Sequence, residues 1–199
     1  MNDINSIILV MLWGIMINKV CSFFGHRNTK LNGKQIDRLK LIIEYLIKNC
    51  NVNTFLFGSK SAFDNICHLI VTDIKVNYPS IKRIAYTCKS EECTLENERE
   101  KWEEIYSNMY HKEVHLLGVE EEIEHKTKYS AGRASYIERN YAMINSSNYC
   151  IFYYDENYLP EYKKYSKKGI GFYQPNSGTA LAYSYAKRKN KIIINIFEK

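Results

Sequence analysis

Three prolines and nine glycines in 199 residues leave too few chain breakers for a collagen-like or low-complexity architecture. No pair of the six cysteines is spaced CxxC, so a thioredoxin-type redox motif and a zinc ribbon both lack their basic element. The longest apolar run, Ile7 to Ile17, has eleven positions, whereas a spanning helix needs about 20. A stable membrane span is therefore not expected. The preceding MNDINS carries an acid and no positive charge, and no small-residue cleavage site follows, so the run does not read as a secretory signal.

What is present can build a core. Apolar residues make up 45% of the chain and aromatics 14%, with 17 tyrosines, which excludes wholesale disorder. The length suits one domain. Residues 1–15 read as an apolar N-terminal extension, and residues 16–199 as a single domain. The cysteines lie largely in apolar stretches, where a reduced thiol packs as a small hydrophobe, and this favours a cytoplasmic setting.

The net charge of +6 is an average over unlike parts. Residues 1–88 carry +6, 89–128 carry −6, 129–149 carry +1 and 150–199 carry +5. A basic body thus surrounds an acidic middle, and the basic parts suit an anionic partner.

Short apolar runs alternate with amphipathic stretches, the pattern of an α/β three-layer sandwich with a mainly parallel central sheet. Expected strands are Val20–Phe24, Asn53–Phe57, Arg83–Thr87, Val114–Leu117, Tyr149–Tyr154 and Ile192–Phe197. Expected helices are Gly33–Lys48, Ala62–Val76, Ala134–Ser146 and Ser177–Arg188, with a surface helix within 88–112. Residues 155–176, rich in Tyr and Lys, form a long connection between a strand and a helix. Such connections lie at the carboxyl edge of the sheet, where ligands bind.

Three segments share one address, after a strand and before a helix: Phe24-Gly25-His26-Arg27, Gly58-Ser59 through Phe63-Asp64, and Ser177-Gly178-Thr179. There, backbone N–H groups and the positive end of a helix dipole face the carboxyl edge, which suits phosphate. Ser177 and Thr179 also read as helix capping residues, and Asp64 as a first-turn carboxylate favoured by the dipole. Arg139 and Asn140 fit either a ligand-facing role or surface pairs. None of these segments matches GxGxxG or a P-loop. His111 and His115 are four apart but lack a third ligand, and Cys88 and Cys93 lack a partner motif, so no metal or other cofactor is expected.

These segments resemble the YpsA-like branch of the SLOG superfamily. Cys21 to Arg27 is similar to its FTGHR-type opening, and Phe57 to Asp64 to its second-strand GGA-x-G-x-D segment. Arg139 to Ile144 with Ser147 to Tyr149 resembles its RN-x-x-M element, and Ser177 to Thr179 its closing GGT helix. The resemblance spans residues 17–197. It implies a Rossmann-like domain binding a nucleotide or nucleotide-derived small molecule through Gly25, His26, Arg27, Gly58, Ser59, Phe63, Asp64, Arg139, Asn140, Ser177, Gly178 and Thr179.

Within the same superfamily, the Lonely-Guy phosphoribohydrolases carry a PGG-x-GT-x-x-E pattern. Here the glycine-bearing turn is one residue shorter and Ala182 stands at the glutamate position, so the expectation is a binding or sensing module rather than an enzyme. An N-glycosidic-bond hydrolase and a DprA-like single-stranded nucleic-acid binder are the alternatives, the latter on the Lys163–Lys168 and tyrosine stretch. A homo-oligomer is compatible with either.

Overall fold

The structure, a computed structural model, describes residues 18–26, 29–58, 61–88, 118–125, 133–160, 163–164, 172–173 and 176–198. The first half of the chain folds as β1 (Lys19–Gly25), α1 (Gly33–Cys50), β2 (Val52–Gly58), α2 (Ala62–Lys75) and β3 (Lys82–Thr87). The second half supplies β4 (Glu121–Glu124), α3 (Arg133–Ser146), β5 (Tyr149–Tyr153), α4 (Gly178–Arg188) and β8 (Ile192–Asn195). Between β5 and α4, the two-residue strands β6 (Lys163–Lys164) and β7 (Phe172–Tyr173) pair antiparallel as a separate ladder.

Six strands form one sheet in the order β4-β3-β2-β1-β5-β8, and every pairing in it is parallel. The chain builds outward from β1 to β4, then returns to the other side of β1 to lay down β5. Cys21 accordingly pairs with Phe55 on one side and Tyr149 on the other. The reversal makes the β1/β5 boundary the topological switch point, where loops leave the carboxyl edge in opposite directions and open a crevice.

Strand alternation sorts the core onto two faces. Phe23, Phe55, Phe57 and Ile151 pack with Leu39, Ile43 and Leu46 of α1 and Phe63, Cys67 and Val71 of α2. Phe24, Leu56, Ile84, Cys150 and Phe152 face the other way, onto Met143 and Ile144 of α3 and Ala182 and Ala186 of α4. Phe23 stacks on Phe57 at 5.2 Å, and Phe24 on Phe152 at 5.0 Å, so aromatic pairs tie adjacent strands on both faces. The result is the expected three-layer α/β sandwich of Rossmann-like type.

The helix ends follow local chemistry. Asn32 and Gln35 form a capping box at α1, each side chain accepting from the other's backbone N–H at 2.9 and 3.0 Å. Asn51 ends that helix in the left-handed region, φ 56°, a conformation its short polar side chain tolerates.

Strand β4 was not expected from the sequence, because its EEIE pattern offers one apolar residue among three acids. An ion pair between the buried Arg83 and the partly exposed Glu120 anchors it instead. The Arg83 side chain is 2% exposed and donates to Glu120 through Nη2 at 2.6 Å and Nε at 3.2 Å. The Arg83 N–H donates to the same carboxylate at 2.6 Å, and Glu120 N–H returns a bond to Arg83 O at 2.9 Å. Burial alone would raise the Glu120 pKa, but the Arg83 hydrogen bonds and charge, with Lys75 nearby, outweigh it and hold the carboxyl below its ordinary value.

Cys21, Cys50, Cys67 and Cys150 are free thiols, all but Cys50 buried, and Cys88 is buried too. Burial pushes the Cys21 and Cys67 thiols well up, and Cys150 up to about 11; protonated thiols of this kind are poor nucleophiles. Among the described residues, no helix is long and apolar enough to cross a membrane. Residues 1–15, the helix expected within 88–112, the strand expected at Val114–Leu117, His111, His115 and Cys93 lie outside the described residues, except that Cys88, just after β3, is described.

Candidate functional site

A cavity of about 390 Å³ opens at the carboxyl end of β1. Its floor is Phe23, Phe24, Gly25 and His26; Ser61 and Asp64 of the β2–α2 turn form one wall, and Asn176 to Thr179 ahead of α4 form another. The first two turns of α3 close a third side with Arg133, Tyr136, Ile137, Arg139 and Asn140, and Tyr158 and Pro160 reach in from the loop after β5. The cavity therefore occupies the switch-point crevice, with two helix N-termini directed at it.

Those two N-termini differ electrostatically. At α2, Ser61 caps the helix by accepting from Asp64 N–H at 2.9 Å, and its hydroxyl donates to Asp64 Oδ2 at 2.6 Å. Asp64 Oδ1 also accepts from Gly58 N–H at 3.3 Å. A carboxylate thus already occupies the positive end of α2. At α4, Ser177 caps by accepting from Ala180 N–H at 2.9 Å, and the first turn has no acid. Arg133 Nη2 donates to the Asn176 carbonyl beside that end. The α4 side of the cavity is the one prepared for an anion.

The glycines also separate. A Cβ at Gly25 would fall 2.4 Å from Phe63 Cβ, so this glycine lets α2 lie against β1. A Cβ at Gly58 would fall 2.9 Å from Arg139 Nη2, so that glycine admits the arginine to the end of β2. A Cβ at Gly178 would meet nothing within 4 Å. Of the three, only Gly178 leaves open space for a ligand to approach the backbone.

Arg139 is 5% exposed, which excludes the surface-pair reading. Its guanidinium lies 5.2 Å from the Tyr136 ring centroid, and Nη2 is 3.5 Å from Asn140 Oδ1. A guanidinium so held offers a fixed planar donor set suited to phosphate or carboxylate.

His26 stacks on Tyr158 at 3.9 Å between centroids, 28° apart. Its Nε2 accepts from Asp155 N–H at 3.3 Å, which assigns the proton to Nδ1 and the ring to its neutral form. Burial lowers the His26 pKa below its ordinary value, with Asp155 partly opposing the shift.

Eight of the twelve residues singled out from the sequence line this cavity: Gly25, His26, Asp64, Arg139, Asn140, Ser177, Gly178 and Thr179. Gly58 and Phe63 stand one layer behind it, Gly58 under Arg139 and Phe63 under Gly25. Arg27 and Ser59 lie outside the described residues. Arg133 and Tyr136 were missed, whereas Tyr158 belongs to the 155–176 connection expected at this edge. Arg133, Tyr136, Ile137 and Asn140 recur at i, i+3, i+4 and i+7, one face of a helix, and that spacing was the available signal for the first two. Asp64 is the sole carboxylate among the described lining residues. Ala182 is 1% exposed and packs against the sheet instead of lining the cavity.

A scan against protein-family models finds no match to this chain, and a search of curated proteins finds none either.

Proposed function

We propose that the chain binds a nucleotide or nucleotide-derived small molecule in the switch-point cavity, as a cytoplasmic binding or sensing module. The observation that carries this reading is the asymmetry of the cavity. One wall combines an acid-free helix N-terminus, an open glycine and the Arg133 side chain at the Asn176 carbonyl; the opposite wall presents the Asp64 carboxylate, with the Arg139 guanidinium beside Gly58 at the end of β2. Phosphate belongs on the first wall, where the dipole, backbone N–H groups and the Arg133 guanidinium act together, with Arg139 lining the cavity beside it. A sugar hydroxyl or base N–H belongs at Asp64, since an ionised carboxylate only accepts hydrogen bonds. Tyr136 and the His26–Tyr158 stack supply aromatic surface for a base. The resemblance to YpsA-like SLOG proteins supports the same ligand class.

Isothermal titration with nucleoside monophosphates, cyclic nucleotides and ADP-ribose-type compounds tests the proposal. At least one phosphorylated compound is expected to bind, and its dephosphorylated counterpart to bind at least tenfold more weakly. Failure of the folded protein to bind any of them at millimolar concentration overturns it. Release of free base from a nucleoside monophosphate replaces the binding module with the hydrolase alternative.

A further inference from the structure

The two sides of the molecule flanking β1 carry opposite charge. Edge strand β4 exposes Glu121, Glu122 and Glu124, and among the described residues none of these carboxylates forms an ion pair. On the far side of β1, the C-terminal end of α4, which packs over β1, β5 and β8 and against α3, exposes Lys187, Arg188 and Lys189. No Asp or Glu occurs anywhere from Asn176 to Asn195. With neighbouring strands about 4.8 Å apart, the strand order sets β1, β5 and β8, the strands under α4, about 14–24 Å from β4. That is about two to three times the Debye length at physiological ionic strength, so neither patch neutralises the other within one copy.

The cationic patch is held in place. Lys187 lies 5.3 Å over the Tyr183 ring, and Arg188 and Lys189 lie 5.0 and 5.5 Å over Tyr185. Tyr185 in turn stacks on Tyr141 at 3.9 Å and donates its hydroxyl to Asn145 at 3.1 Å. Cations resting on fixed rings lose less freedom when a partner binds. The negative end of α4 is a ready explanation for a cation there, but its dipole amounts to about half a charge. Three exposed cations exceed it. Ile192, 53% exposed, gives this patch an apolar centre, and Ile123 sits among the glutamates of the other.

We propose that copies of this chain associate head to tail, the cationic α4–β8 patch of one docking on the glutamate-bearing β4 edge of the next. Such a contact joins two different surfaces, so each added copy leaves both surfaces open at the ends.

Sedimentation velocity over a concentration series tests this at about 0.01 M salt, where the Debye length is about 30 Å, and at about 1 M, where it is ~3 Å. At low salt the average mass should rise steadily with concentration above the 23.5 kDa chain, and at high salt it should return to it. Two charge-reversed variants, K187E/R188E/K189E and E121K/E122K/E124K, should each remain monomeric at low salt while circular dichroism shows them folded; some loss of Tm is expected, since the first loses its ring contacts and the second the Thr87 hydrogen bond to Glu122. Mixing them should restore association, because one then carries two acidic patches and the other two basic ones. A protein monomeric at both salt concentrations overturns the proposal, as does a closed dimer indifferent to the E121K/E122K/E124K change. Oligonucleotide binding at Lys187–Lys189 by a protein that stays monomeric would assign the patch to nucleic acid and overturn it equally.

Discussion

The guanidinium of Arg139 occupies the space that a side chain at Gly58 would need, with Nη2 2.9 Å from the position of a Cβ there. One strand end and one helix are thereby coupled. The missing side chain on β2 lets α3 bring a buried cation to the carboxyl edge. Gly58→Ala should therefore displace Arg139 and weaken nucleotide binding at least tenfold while leaving most of the secondary structure intact. Titration calorimetry and circular dichroism on the same variant separate the two effects.

Gly25 and Gly178 should behave in opposite ways. At Gly25 an added methyl meets Cβ of the fully buried Phe63 at 2.4 Å. Gly25→Ala should cost about 1–3 kcal/mol or more through overpacking. At Gly178 the space is open, so Gly178→Ala should leave stability unchanged or slightly raised, since alanine favours the helix. Its effect should appear in ligand affinity. Denaturant unfolding and nucleotide titration of both variants check the contrast.

The Arg83–Glu120 pair should be costly to break from one side. Glu120→Ala leaves the Arg83 charge, 2% exposed, without its carboxylate, and the loss should be on the order of 3–5 kcal/mol. The double change Arg83→Met, Glu120→Leu should recover most of it, because no buried charge then remains. The folded-state pKa of Glu120 is depressed, so its contribution is present above the unfolded carboxyl value and declines as pH falls through the folded one. Acid unfolding of wild type and Glu120→Gln should therefore differ in slope only on the acid side.

His26 gives a second pH dependence with a different window. Its folded-state pKa lies below the ordinary value, which is about 6.5 for an exposed imidazole. Below that value the unfolded chain takes up the proton first, so stability should fall as pH drops and level off below the folded pKa. The Asp155 N–H bond to Nε2 and the local order of the Tyr158 stack should weaken together. Histidine ring resonances followed by NMR give the midpoint; a value at or above 6.5 would contradict the assigned neutral ring.

Much of this architecture was readable from the chain. Short apolar runs located β1, β2, β3 and β5 to within a residue or two, because both faces of these strands are buried and their apolar runs are correspondingly dense. Strand β4 escaped because it owes its place to Arg83 and Glu120, residues 37 apart in sequence, and not to its own composition. The cavity was half legible. Gly25, Gly58 and Gly178 stood out together as glycines beside helix starts, yet only the fold distinguishes the two that relieve packing from the one that faces open space. The connection carrying Tyr158 was placed at the carboxyl edge, but its stack on His26, 132 residues earlier, could not be read from the chain.

Location and ligand class are tested together by backbone amide NMR during titration with a nucleoside monophosphate, an ADP-ribose-type compound and the unphosphorylated nucleoside. The proposed function predicts that a phosphorylated compound shifts the amides of Gly178, Thr179 and Ala180 and the Arg139 guanidinium most strongly. The nucleoside alone should leave the α4 turn unmoved. Saturating shifts confined to another surface, or none at millimolar ligand, would contradict the assignment of this cavity as a nucleotide site.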